Sequence, residues 1–403
     1  MTIAHLAALT ALVLALARFA GDDLPRGDVT ADSSAWAQAP ARPGAAVETV
    51  PGMPPVTDPS NLYSHVGTNM LAPAVAGALP RVYVPNVKSH DVYVIDPATL
   101  KVVDRFKVGL NPQHVVPSWD LQTLWVTNNA EGRTEGSLTP IDPKTGTPGT
   151  PIPVDDPYNM YFTPDGRFAI VVAEAFKRLD FRDPQTFKLL GSVAVPKCAG
   201  VNHADFSIDG RYLIATCEFQ GSLVKVDWIN RKVLGYLQLS GGGMPQDIRL
   251  SPDGRIFFVA EMKRGGVYTV DGESFTETSF IPTGVGTHGL YPSRDGRKLY
   301  AANRGSDHVG GPPRGKGSVS VIDFATGKIE ATWPIPDGGS PDMGNVSADG
   351  KTLWLSGRYD NLVYAIDTAS GQVTKIPVGR EPHGLTVWPQ PGRYSLGHTG
   401  NMR

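Results

Sequence analysis

The chain is poor in cysteine, in charge and in long apolar runs. Cys198 and Cys217 are the only two cysteines in 403 residues, so a dense disulfide framework is excluded, and so is covalent c-type haem, which needs CxxCH. Charged residues make up 19% of the chain and the formal net charge is −2. Nucleic acid and anionic membrane surfaces both demand a basic excess, so neither is an expected partner. No GxSxG elbow, HExxH pair or P-loop occurs, which removes the motif-bearing serine hydrolases, zincins and NTPases. The one sustained apolar run, residues 3–17, carries no acidic residue and is short for a membrane span. It reads as the core of an export signal. Residues 1–37 are therefore an expected signal or export segment, and the mature chain is expected to be extracytoplasmic without a membrane span. Residues 38–78 follow as a Pro/Ala-rich linker and N-terminal extension, whose later part, 61–78, is placed to pack on the domain after it.

What is present is turn chemistry. The 45 glycines and 35 prolines punctuate β-rich segments instead of forming low-complexity tracts. Residues 200–227, GVNHADFSIDGRYLIATCEFQGSLVKVD, alternate into an Asp209-Gly210 turn, back out, and into a third short strand ending at Asp227. That is an antiparallel meander. Related turns recur at Asp120, Asp165, Asp209, Asp253, Asp295 and Asp349, and a second Asp series runs Asp96, Asp142, Asp183, Asp227, Asp271, Asp323 and Asp367. A period near forty-four with four short strands per copy predicts propeller blades, seven by the second series. The segment before Asp96 lacks an inner strand, and residues 382–393 supply one, so joining the two closes the ring without an open edge. Residues 304–317 account for the longer spacing of the fifth blade. Strand ends VYVPN, LWVTN and LYAAN, each followed by a strand closing on IDP or IDF, resemble the YVTN-type seven-bladed β-propeller family across about residues 79–394. The resemblance implies an all-β, seven-bladed fold. It leaves function open, because such propellers serve as lactonases, haem-domain proteins, surface-layer proteins and scaffolds.

Inner strands of a propeller begin at one face beside the central axis. Their starts here read Gln113-His114, Tyr158-Asn159, Asn202-His203, Gln246-Asp247, Thr287-His288, Asp342-Met343 and Pro382-His383. Four of the nine histidines fall in these positions, where chance would place about a third of one. His288 and His383 stand one residue further from their turns than His114 and His203, so a subset could reach one ion. Second-strand ends offer Glu174, Glu218 and Glu261, carboxylates that would orient metal-bound imidazoles through their other ring nitrogen. Four His with three outer Glu resembles, in residue inventory alone, the metal centre of carotenoid-cleaving oxygenases. The expected cofactor is a transition metal, Fe or Cu before Zn, held by His114, His203, His288 and His383. Asp247 and Asp342 are candidate general bases, and Asn159, Arg304 and Arg358 candidate ligand contacts. The insertion, with His308, Arg314 and Lys316, lies over the same mouth. His398, in the 395–403 tail, is expected to leave from the opposite face and take no part. The cysteines, both in the third blade on the mouth face, are expected to form a disulfide, with a soft metal site as the alternative. The functional readings are a metal-dependent oxidoreductase; a non-catalytic propeller binding a small molecule, tetrapyrrole or protein at its mouth; and a lactonase-like hydrolase.

Overall fold

The structure is a computed structural model that describes residues 46–403, apart from 132 and 311–314. The export segment and Arg314 lie outside the described residues. Seven four-stranded antiparallel sheets account for all the named strands, and no α-helix occurs among the described residues. No helix there is long and apolar enough to cross a membrane.

Local chemistry sets the blade outline. In blade 3, Ser207 Oγ and the Arg211 N–H both donate to Asp209 Oδ1, at 2.6 and 3.0 Å. Gly210 takes φ +75, a conformation that side-chain-bearing residues resist. Ser251 with Asp253 and Ser347 with Asp349 repeat the device. Inner strands, such as Pro112–Pro117, are buried along their length, whereas the outer strand Lys101–Lys107 is almost wholly exposed. Each sheet therefore runs from a closely packed axis to a solvated rim. Trp125 and Trp354, on second strands, are buried in the packing between blades.

The inner strands of blades 1 to 6 are Pro112–Pro117, Pro157–Phe162, Val201–Phe206, Pro245–Leu250, Thr287–Pro292 and Pro341–Val346. Blade 7 is built from both ends of the domain, Thr386–Trp388 pairing with Arg81–Asn86 through Arg81↔Trp388 and Val82↔Val387. Neighbouring inner strands pack against one another right round the ring.

Residues 46–80 cross the face opposite the mouth and are fastened to it strand turn by strand turn. The N–H groups of Val50, Leu62, Asn69 and Leu79 donate to the carbonyls of Asp209, Pro252, Ala348 and Pro143. Leu62, Tyr63 and Val66 are buried there. The packing expected for 61–78 is present, and it begins earlier, at Val50.

Cys198, ahead of the third inner strand, and Cys217, ending the second strand of that blade, are disulfide-bonded across 19 residues. Closing a loop of that length removes unfolded-state entropy worth about 3 kcal/mol. The Cys198→Ala/Cys217→Ala variant is expected to unfold in denaturant with stability lower by roughly that amount. An unchanged midpoint and slope would remove the bond from the list of stabilising features.

Candidate metal centre and channel mouth

Each inner strand carries one extra residue near its start. Pro112 pairs with Asn128 and His114 with Thr127, leaving Gln113 unmatched. Thr287 pairs with Asn303 and Gly289 with Ala302, leaving His288 unmatched. Blades 2, 3, 4 and 6 show the same shift. In blade 7, Pro382 bridges Asn86 before Thr386 meets Tyr83. Such a β-bulge re-aims side chains, here putting two consecutive residues toward the axis. Two tiers result. The outer tier, at the mouth, comprises Gln113, Tyr158, Asn202, Gln246, His288, Asp342 and His383. Beneath it come His114, Asn159, His203, Asp247, Gly289, Met343 and Gly384. The one-residue offset among the histidines is this division.

In the inner tier, His114 and His203 meet His398, which arrives from the tail. Their ring centroids are separated by 5.5 Å (114–203), 5.1 Å (114–398) and 4.7 Å (203–398). One nitrogen from each lies within 4.8 Å of the others. The tail hairpin, with Ser395 paired to Met402, inserts from the opposite face and adds to blade 2, where the His398 N–H donates to Met160 C=O at 2.8 Å. His398 sits at its tip with φ +54. The hairpin is held below by Asp205, which accepts Arg403 Nη2 and Asn401 Nδ2, both at 2.7 Å. The expectation that His398 takes no part is thus corrected: the tail does lie at that face, but it turns back into the channel. Its sequence, Gly397-His398-Thr399-Gly400 between the apolar Leu396 and Met402, carries a hairpin signal that repeat counting passes over.

Burial, reinforced by like-charged neighbours, holds His114, His203 and His398 well below the usual imidazole range, so the rings are neutral near pH 7. Asn159 Nδ2 reaches the Nδ1 atoms of His203 (3.2 Å) and His398 (3.0 Å), while its Oδ1 accepts the Met160 N–H. In this arrangement both Nδ1 atoms accept and the ring protons sit on Nε2. His114 has no hydrogen-bond partner at either ring nitrogen, and His203 Nε2 and His398 Nε2 are also unpaired and buried. His114 is seated against Gly384, where a Cβ would come within 2.0 Å of its Nδ1.

The outer tier has a different character. Asp342 Oδ1 accepts from Arg304 Nη2 at 2.7 Å and Nε at 3.2 Å, and lies 2.9 Å from His288 Nδ1. His383 Nε2 stands 3.6 Å from Asp342 Oδ2. Burial alone would raise Asp342, but Arg304, His288 and Arg358 hold its carboxyl far below the usual range. Asp247 accepts the Ile248 and Leu290 N–H groups and Arg249 Nη1, each at 2.9 Å. Both aspartates are therefore engaged buried anions and not free bases. They, and not the glutamates, are the carboxylates beside imidazole: Asp342 at His288 and His383, Asp247 3.4 Å from His398 Nε2.

The glutamates separate by one residue of register. Glu261 pairs with Pro245, whereas Ala173 and Cys217 hold that place in blades 2 and 3. Glu174 and Glu218 are thus equivalent to Met262, and Glu261 faces the other way. Its Oε1 accepts the N–H groups of Met244 and Lys263 at 2.8 and 2.9 Å, making it a loop brace apart from the histidines. Glu174 and Glu218 line a mouth cavity of about 100 Å³ with Tyr158, His288, Arg304, Arg358 and His383, among others. Neither touches an imidazole, and Glu218 accepts Asn202 Nδ2 at 3.0 Å. Arg304 and Arg358, the candidate ligand contacts, line this cavity. Asn159 contacts two histidines and not the cavity.

A family model described as YNCE-like beta-propeller matches residues 38–391. The uncharacterized protein YncE of Salmonella typhi is 24% identical over 286 residues, covering 67% of this chain and 75% of that protein. Among solved structures, the periplasmic gluconolactonase PpgL of Pseudomonas aeruginosa superposes with a TM-score of 0.62 at 21% identity, over 77% of this chain and 99% of that one. A 6-phosphogluconolactonase, so described only provisionally, from Bacteroides uniformis gives 0.60 at 16%, over 76% and 98%. At such identities the likeness to these two structures is one of fold.

Proposed function

The chain belongs to the YNCE-like beta-propeller family, and from that premise we propose a metal-dependent hydrolase of small lactones or esters, with a divalent transition metal held by His114, His203 and His398. The finer YVTN-type naming, an extracytoplasmic setting and the small-molecule partner at the mouth belong to the same proposal. One observation carries it: His114, fully buried with both nitrogens unpartnered, faces two further buried imidazoles, one nitrogen of each lying within 4.8 Å of the others. Unsatisfied buried nitrogens are costly, on the order of 1–3 kcal/mol each, and three neutral imidazoles are a typical protein donor set for catalytic zinc. Zinc therefore comes ahead of iron and copper in this reading.

Bound there, the metal would supply an activated water and polarise a carbonyl. The chain's own residues do the rest. Burial, then Glu218 and Glu174, push the Tyr158 hydroxyl well above its ordinary range, so it stays protonated and can donate to an oxyanion. Arg358 and Arg304 hold negative charge at the mouth. Asn159 fixes the His203 and His398 rings. Ligation through Nε2 requires that its amide turn to present oxygen to two Nδ1–H groups, which a carboxylate would do without turning. The lactone class is supported by the names of the two structural neighbours and by the absence of a nucleophile motif. A second reading, oxidation at His288, Asp342 and His383, is favoured by their two-His-one-carboxylate inventory. The Arg304 guanidinium on Asp342 weighs against a cation there.

The experiment is metal analysis of protein purified without chelator or nickel, alongside hydrolysis of a lactone panel. Wild type is expected to hold about one equivalent, His203→Ala to lose it, and Asn159→Asp to bind roughly 10–100-fold more tightly. Metal-free wild type after reconstitution would end the proposal, and metal without hydrolysis would reduce it to a binding site.

A further inference from the structure

One position at the mouth divides the ring by charge. It is the residue after each second-strand partner of the inner-strand start: Asn129, Glu174, Glu218, Met262, Arg304 and Arg358 for blades 1 to 6, with Val87 in blade 7. Two acids stand on adjacent blades, two arginines on another adjacent pair, and apolar or amide residues separate them on both sides. The cavity between is lined by both pairs, and by Phe219 and Val309.

Neither wall is internally neutralised. Among the described residues the Glu174 carboxylate has no ion pair or side-chain hydrogen bond. Burial raises it, and the charges acting on it (Glu218, Asp156, Glu131) are all negative. Glu218 has neutral amides, Asn202 and Gln246, as its hydrogen-bonding neighbours, and the cations acting on it, Arg304 and Arg358, stand on the opposite wall. Across the mouth, Arg304 is matched by Asp342, but Arg358 Nε and Nη1 have no hydrogen-bond partner, and the one carboxylate that reaches ion-pair distance of it, Glu381, is 4.0 Å away. His383, 1% exposed at its side chain and without a hydrogen bond at either ring nitrogen, though Nε2 stands 3.6 Å from Asp342 Oδ2, lines the same cavity. An ammonium group would relieve the paired acids and a carboxylate would satisfy Arg358, with the aliphatic part against Phe219 and Val309.

We infer that the mouth binds a small zwitterion, an α-amino acid, with the ammonium toward Glu174 and Glu218 and the carboxylate toward Arg358. This rests on the reading of the mouth as the substrate entrance, though not on the metal.

The test is calorimetric titration of the folded mature chain with L-2-aminobutyrate, butyrate and propylamine, metal-loaded and chelator-stripped. The amino acid is expected to bind at least tenfold more tightly than either half-molecule. Glu174→Gln and Glu218→Gln should bring it toward butyrate, and Arg358→Gln toward propylamine. Equal affinity for a half-molecule, or no binding of any of the three, overturns the inference. A tenfold preference in protein that takes up no metal would keep the zwitterion site and remove the metal reading. Loss of the preference with metal bound would do the reverse.

Discussion

Replacing His398 with Asn is expected to weaken transition-metal binding about 100-fold, while His288→Ala changes it by less than about threefold. A four-ligand zinc site releases about 10–16 kcal/mol, so one ligand accounts for roughly 3 kcal/mol, or two decades. Asn is the informative replacement because it tolerates the left-handed backbone that His398 adopts (φ +54). The hairpin tip is then kept while the imidazole is removed. The contrast with His288 separates the two tiers: His288 is tied to Asp342, itself matched by Arg304, whereas His398 completes a neutral donor set with His114 and His203. Competition with a fluorescent chelator gives both affinities. Comparable losses at both positions would mean that the tiers act as one site, and no loss at His398 would make the tail a plug and nothing more.

Asp205→Ala is expected to lower unfolding stability by about 3–5 kcal/mol. Asp205 is fully buried and accepts from Arg403, Asn401 and the backbone N–H groups of Phe206 and Leu250. Without it the Arg403 guanidinium, 7% exposed, is left in the interior with no counter-charge, and desolvation of that charge dominates the loss. The companion variant Asp205→Ala/Arg403→Met removes the orphaned charge and should recover part of the deficit. Denaturant unfolding of the two singles and the double measures this. A double variant no more stable than Asp205→Ala would show that the backbone acceptors, not the ion pair, carry the effect.

The blades were legible because Ser-x-Asp-Gly turns fix their own geometry through bonds that span two to five residues, and the second Asp series, Asp96 to Asp367, counts seven blades. The closing of blade 7 was legible as well, since one end lacked an inner strand and the other had one to spare. His114, His203, His288 and His383 stood out because a period near forty-four brings their positions to one axis. What failed was register at single-residue resolution. Strand ends alone group Glu261 with Glu174 and Glu218, although the hydrogen-bond ladder sets it one residue earlier, on the other side of its strand. His398 was missed because it belongs to no repeat. Its place depends on Asp205 beneath the hairpin, on blade 2 and on the Asn345 amide, which donates to the Thr399 carbonyl, contacts that sequence spacing does not express.

Blade 7 has a further consequence during synthesis. Arg81–Asn86 leaves the ribosome early, but its partner Trp388 is made after all the other blades. At 5–20 residues per second the first strand waits on the order of 15–60 s with an unpaired edge. Through that interval the nascent chain presents the kind of template that recruits foreign strands. A cell making this protein must therefore keep that edge occupied or screened until the last blade arrives, and expression temperature and holdase supply should govern its yield more than the stability of the finished ring.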